Sequence, residues 1–201
     1  YIKAELLTIE RHSKDRVVPF CKYFEMCGGC DTQHMKYSAQ LHYKKEHLVQ
    51  SLFKYMDKKL DDRLIDDMVG SRKENGYRNK AQLPIREVKG QARFGLFRRN
   101  SNQVLTIHSC PVQHPLINKV MSQAVELMDK HHIKAYLPAK KTGLIKGLMV
   151  RVGQDTDEIQ MVFVLTKKDA LSVLIRELLK LNADIVSMYT TIDTDAKNQT
   201  Y

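Results

Sequence analysis

The residues best equipped for chemistry are four cysteines. Cys21, Cys27 and Cys30 lie within ten residues in a C-x5-C-x2-C pattern, and Cys110 follows after a long gap, directly before Pro111. Two cysteines separated by two residues can aim both sulfurs at one centre. Gly28 and Gly29 permit the tight backbone this needs, and their N–H groups could donate to cluster sulfides. Two disulfides are possible by arithmetic, but no secretory leader is read at the N-terminus and the chain is long enough to fold without staples. A metal centre fits better. Zinc sites usually pair two C-x2-C knuckles. Three clustered cysteines plus a remote Cys-Pro is the commoner look of an iron–sulfur site, and zinc stays open as the second reading. Four ligands saturate either centre, so a structural role is expected.

The second chemical feature is positive charge. Lys and Arg total 33 against 23 acidic residues, for a net charge of +10, which favours a polyanionic partner such as nucleic acid. The charge is concentrated. Residues 71–100 carry Arg72, Lys73, Arg78, Lys80, Arg86, Lys89, Arg93, Arg98 and Arg99 against Glu74 and Glu87 alone. If residues 77–86 form a strand, side chains alternate between its faces. Tyr77, Ala81, Leu83 and Ile85 then face a core, while Arg78, Lys80, Gln82 and Arg86 share the other face, extended by Arg98 and Arg99 at the next turn. A solvated antiparallel sheet also carries Lys and Arg outside, but usually with mixed signs. Arg78, Lys80, Gln82, Arg98 and Arg99 are therefore the expected RNA contacts. A second acid-free stretch, 130–154, holds six basic residues.

These residues require elements to position them. Of the 201 residues, 43% are apolar and 28% charged, which is globular composition, and no apolar run reaches the roughly 20 residues that cross a bilayer. Residues 1–18 read as a strand end and connector, and 19–32 as the cysteine loop. A helix over 37–56 carries Leu41, Leu48, Leu52 and Met56 on one face and Lys44, Lys45 and Lys54 on the other. Residues 57–67 form a charged link with five aspartates. Runs 77–86, 93–99 and 103–107, broken by turn residues at 88–91 and 99–102, read as an antiparallel meander. A helix over 115–132 follows, with Leu116, Val120, Leu127 and Met128 as its stripe, then strands 144–152 and 158–165, helix 168–181 and strand 184–190. The expected fold is α+β: an antiparallel β-meander with packed helices and a small four-cysteine cluster-binding loop module. His131 and His132 read as complementing a helix dipole, His34 as a polar helix start, and Tyr23 and Phe24 as shields for the metal site. No phosphate-cradling glycine loop and no Ser/His/Asp constellation is present. With all four cysteines as ligands, no catalytic residue is assigned.

Several blocks resemble the ribosomal RNA uracil-5 methyltransferase family. They are Cys21-x5-Cys27-Gly-Gly-Cys30 with Gln33-His34 and Tyr37-x2-Gln40-Leu41-x2-Lys44, then residues 77–84 (YRNKAQLP), 95–101 (GLFRRNS), 109–113 (SCPVQ) and 147–152 (GLMVRV). They occur in family order across nearly the whole chain. The resemblance implies a central-domain fragment of an S-adenosylmethionine-dependent enzyme that forms 5-methyluridine in 23S rRNA. Residues 1–18 would be the tail of an N-terminal TRAM domain. Residues 19–190 would be an RNA-binding domain with a structural 4Fe-4S cluster on Cys21, Cys27, Cys30 and Cys110. Residues 191–201 would lead into a catalytic domain holding S-adenosylmethionine, the nucleophilic cysteine and the base. It further implies a cytoplasmic, monomeric enzyme with no membrane partner, an arginine at position 78 near the extruded uridine, and a fragment inactive alone. Thr190-Thr191 departs from the family's usual Gln-Asn. The alternative from the residues themselves is a zinc-stapled stand-alone nucleic-acid-binding module, and a third is an electron-transfer protein.

Overall fold

The structure is a computed structural model that describes residues 7–56 and 65–193. The chain divides into two compact units: residues 1–22 with 30–72, and residues 23–29 with 73–201.

The first unit is built on α1 (Tyr37–Tyr55). The connector pairs with the segment before this helix: Val17 N–H donates to the His34 carbonyl and Lys36 N–H to the Asp15 carbonyl, both at 2.9 Å. The Gln40 side chain donates to the Met35 carbonyl at 3.0 Å and its oxygen accepts from the Thr32 hydroxyl, fixing the turn that starts the helix. Tyr37 accepts a hydrogen bond from Ser71 N–H, and Lys45 pairs with Asp67 at 2.7 Å. The helical period is as expected, but the stripe is not a core: none of the helix residues is buried, and Leu48 and Met56 are exposed. The expected aspartate link falls mostly on residues 57–64, outside the described residues, as does the start of the 1–18 connector.

The second unit is a six-stranded sheet in the order β3-β2-β1-β4-β5-β6, with β1 (Lys80–Val88), β2 (Gln91–Phe97), β3 (Val104–Thr106), β4 (Ile145–Val152), β5 (Ile159–Leu165) and β6 (Ile185–Ile192). Helix α2 (Pro115–Lys130) joins β3 to β4, and α3 (Ser172–Leu181) joins β5 to β6. The fold is α+β, and the β1–β3 meander forms as expected. The sheet is nonetheless mixed, because β6 pairs parallel with β5, an arrangement that needs a crossover such as α3. Helix α3 starts later than expected because Leu171 takes a left-handed conformation, which cannot continue a helix.

Strand β1 changes partner midway. Lys80–Pro84 pairs with β4 and Ile85–Val88 with β2. Pro84 has no N–H to contribute to a ladder, and it sits where one pairing hands over to the other. Ala81, Leu83 and Ile85 are buried, as alternation requires, whereas Tyr77 is exposed. The expected inward direction fails for Tyr77 because β1 begins only at Lys80.

The core lies between this sheet and the helices. Leu83, Ile85, Leu148, Val150, Met161 and Phe163 meet Ile117, Val120, Met121 and Met128 from α2 and Leu174 and Leu178 from α3, all at most 2% exposed. Pro115 at the first turn and His114, whose Nδ1 accepts from Leu116 N–H, start α2. Of its expected stripe, Leu116 is only half-buried, and Ile117 and Met121 take the deep positions. At the end of α2, His131 Nε2 lies 3.0 Å from a Glu177 carboxylate oxygen, so it bridges to α3 as well as facing the helix end. Gly95 permits the close approach of β3: a Cβ there would stand 2.4 Å from the Leu105 carbonyl oxygen.

Candidate nucleic-acid interface

Both helices pack on one face of the sheet, so the other face presents Lys80, Gln82 and Arg86 from β1, Met149 and Arg151 from β4, Gln160 and Val162 from β5, and Ser187, Tyr189 and Thr191 from β6. Lys80 and Gln82 therefore stand where alternation expected them. Directly across the antiparallel ladder from Lys80 is Arg151. Both are exposed, and neither has an ion-pair partner among the described residues. Like charges directly opposite one another disfavour a sheet, so this arrangement suits an anion supplied from outside.

Arg86 behaves differently. Its guanidinium donates to the Ile85 carbonyl at 2.9 Å and the Lys146 carbonyl at 3.3 Å. Burial holds it below the ordinary guanidinium value, with Tyr136 opposing to a smaller degree. Arg93, opposite Arg86 in the register, reaches 3.4 Å from the Asp129 carboxylate. Beside them Lys146 pairs with Asp193 at 3.0 Å, each side chain 12% exposed, and lies over the Tyr136 ring. These cations brace the structure.

The remaining expected contacts gather at the end of the sheet where β1 begins. Arg78 is half-buried. Its backbone is clamped on the segment after Cys110: Arg78 N–H donates to the Val112 carbonyl, and its carbonyl accepts from His114 N–H, at 2.8 and 2.9 Å. Gly76 N–H donates to the Pro111 carbonyl in the same ladder. Because β2 runs antiparallel to β1, the turn after Phe97 lies toward this same end, and it exposes Arg98 and Arg99. Beside Arg78, Gln113 is buried, and its side-chain oxygen has no hydrogen-bond partner among the described residues.

None of the four cysteines is in a disulfide. In the second unit Cys27 is buried, forms a β-bridge with Arg98 and accepts a hydrogen bond at Sγ from Gly29 N–H at 3.3 Å. Gly28 N–H donates to the Phe97 carbonyl. Cys110 is also buried, and Asn118 of α2 holds it by a reciprocal pair: Cys110 N–H donates to Asn118 Oδ1 at 2.8 Å, and Asn118 Nδ2 donates to the Cys110 carbonyl at 3.0 Å. The Tyr23 hydroxyl accepts from His108 N–H. In the first unit Cys21 N–H donates to the side-chain oxygen of the buried Gln33, and Cys30 is half-buried. Cys21 and Cys30 thus belong to one unit and Cys27 and Cys110 to the other. No group of three or more His, Cys, Asp or Glu that could hold a metal ion occurs among the described residues.

Sequence reasoning placed Lys80, Gln82, Arg98 and Arg99 on exposed or half-exposed positions of one unit but missed Arg151, Gln113 and Asn118. The alternation of Leu148, Val150 and Val152 against Met149 and Arg151 signals the outward direction of Arg151; its register with Lys80 is not written in either segment. Thr190 and Thr191 are exposed on β6.

No family model matches the chain. It is 38% identical over 164 residues to an uncharacterized RNA methyltransferase of Enterococcus faecalis, covering 82% of this chain and 36% of that protein. It is 34% identical over 178 residues to one of Streptococcus mutans, covering 89% and 39%. The chain therefore spans less than half the length of these curated relatives. A crystal structure of the tRNA (uracil-54, C5)-methyltransferase of Pyrococcus abyssi, in complex with S-adenosyl-L-homocysteine, shares the fold with a TM-score of 0.67 and 22% identity, over 96% of this chain and 41% of that one. No described helix is long and apolar enough to cross a membrane. The chain is homologous to part of the RNA methyltransferases, in agreement with the RNA 5-methyluridine methyltransferase family that its motifs resemble.

Proposed function

We propose that this chain is the RNA-recognising part of an S-adenosylmethionine-dependent enzyme that forms 5-methyluridine in 23S rRNA. Residues 1–18 are the tail of a preceding TRAM domain, 19–190 the central domain, and 191–201 the lead-in to the catalytic domain. S-adenosylmethionine, bound by that catalytic domain, supplies the methyl group. The chain's own residues bind and orient RNA in the cytoplasm, and alone they do not transfer methyl groups. The full-length enzyme works as a monomer.

The observation that carries this reading is the Lys80–Arg151 pair, which has no ion-pair partner among the described residues, at the same sheet end as Arg78, Arg98 and Arg99. Gln82 supplies an amide to the same face. Phosphate contacts of this kind give affinity and salt dependence with little sequence information. The test is binding of an rRNA stem-loop by an Arg78→Ala, Arg98→Ala variant. Weaker binding, with a log K against log salt slope shallower by about 1.4, is expected; unchanged affinity and slope would remove the assignment.

The cysteine spacing supports a structural 4Fe-4S cluster on Cys21, Cys27, Cys30 and Cys110, with a zinc-stapled stand-alone module as the alternative. Anaerobic purification followed by iron, sulfide and zinc analysis separates them. No step of the chemistry is routed through the metal.

A further inference from the structure

The open face of the second unit holds more than charge. Its cross-strand rows run Lys80, Arg151, Gln160, Ser187 and then Gln82, Met149, Val162, Tyr189. The first row is cationic and polar. The second passes from an amide through two half-buried apolar side chains to an aromatic ring that is 56% exposed on the edge strand β6. The rows are two residues apart, about 7 Å along the strands, and neighbouring strands are about 4.8 Å apart. The carboxylate that follows β6, Asp193, is already paired with Lys146.

Resting on the RNA-recognition reading above, we infer that this face is a stacking platform for single-stranded RNA, in which Lys80 and Arg151 hold the backbone and Tyr189 stacks on a base, with Met149 and Val162 as the apolar floor. A cationic row beside an aromatic one is the combination that recognises unpaired nucleic acid: phosphates meet the cations, and a splayed base meets the ring. The flat side chains of a sheet offer no wall to grip a duplex groove, so charge alone holds duplex RNA here. Tyr189 was not among the expected contacts, because its face is set by a parallel register with β5 that includes a shift near Gln160.

The chain contains no tryptophan, so Tyr189→Trp installs a single reporter at the stacking position. With the 201-residue chain, a short oligouridylate is expected to quench the emission of this variant, and a short RNA duplex to leave it unchanged. Tyr189→Ala is expected to weaken oligouridylate binding about tenfold without affecting the duplex, and Tyr189→Phe to retain binding. The inference is overturned if Tyr189→Ala binds the single strand as wild type does and the indole emission of the Tyr189→Trp variant stays unmoved. If Arg78→Ala, Arg98→Ala still weakens binding in that case, the RNA-recognition reading survives without the platform. A wild-type chain that binds neither RNA overturns both.

Discussion

Replacing Arg151 by glutamine should make the second unit more stable and a poorer RNA binder. Arg151 faces Lys80 across an antiparallel ladder, and neither has a carboxylate partner among the described residues. Cβ atoms at such opposed positions are about 5 Å apart, and two long side chains can splay their charges to about 7 Å. In water, like charges at about 7 Å repel by roughly 0.6 kcal/mol. With a Debye length of about 8 Å at physiological salt, screening reduces this to about 0.3 kcal/mol. Removing one charge should therefore stabilise by about 0.3–0.6 kcal/mol, more at low salt, and Lys80→Gln should do the same. The assay is urea unfolding of the wild type, both single variants and the double variant at low and high salt. The double-mutant cycle should return an unfavourable Lys80–Arg151 coupling that fades as salt is added. The same Arg151→Gln variant should lose one phosphate contact, flattening the salt slope of RNA binding by about 0.7. A favourable coupling, or a variant that is less stable at low salt, would refute the claim that these charges await an external anion.

Gly95→Ala should destabilise the second unit by about 1–3 kcal/mol through overpacking, since its Cβ would meet the Leu105 carbonyl oxygen at 2.4 Å and the Val104 side chain at 2.6 Å; thermal unfolding reads this. Asp193→Asn should cost about 3 kcal/mol by leaving the Lys146 ammonium without its 3.0 Å carboxylate, seen as a lower urea midpoint. The Lys130 hydrogen bond holds the Glu177 carboxyl below its ordinary value, with His131 adding to the effect. A depressed carboxyl contributes stability that is present above its unfolded-state value and is lost as pH falls through the lowered one. Wild-type stability should decline over that acid range, and Glu177→Gln should show a flatter acid limb.

Much of the second unit was legible in the sequence because its periods are clean. Ala81, Leu83 and Ile85 alternate against Lys80 and Gln82, and helix α2 buries residues from Ile117 to Met128 at helical spacing. What the sequence hides is pairing. Pro84 warns that β1 cannot keep a full ladder on both sides, yet only the structure tells which neighbour takes each half. The parallel docking of β6 is likewise a property of α3's crossover rather than of β6's own residues. Tyr77 misled because alternation was extended past the strand's first residue. Helix α1 forms at the expected period, yet its apolar spacing did not tell how far the stripe would be covered: none of its residues is buried. The candidate interface was half legible: the cations of β1 and the 98–99 turn announce themselves by density, whereas Arg151 and Tyr189 join them only through register. The cysteine spacing was read directly, but the division of the four cysteines between two units has no sequence signature.

Photo-cross-linking of a uridine-rich rRNA stem-loop to the chain, with the linked peptides identified by mass spectrometry, tests the interface most directly. The account predicts cross-links at Arg78, Lys80 and Gln82 and in the Arg98–Arg99 turn. Cross-links confined to α2 and α3, on the opposite side of the sheet, would contradict it.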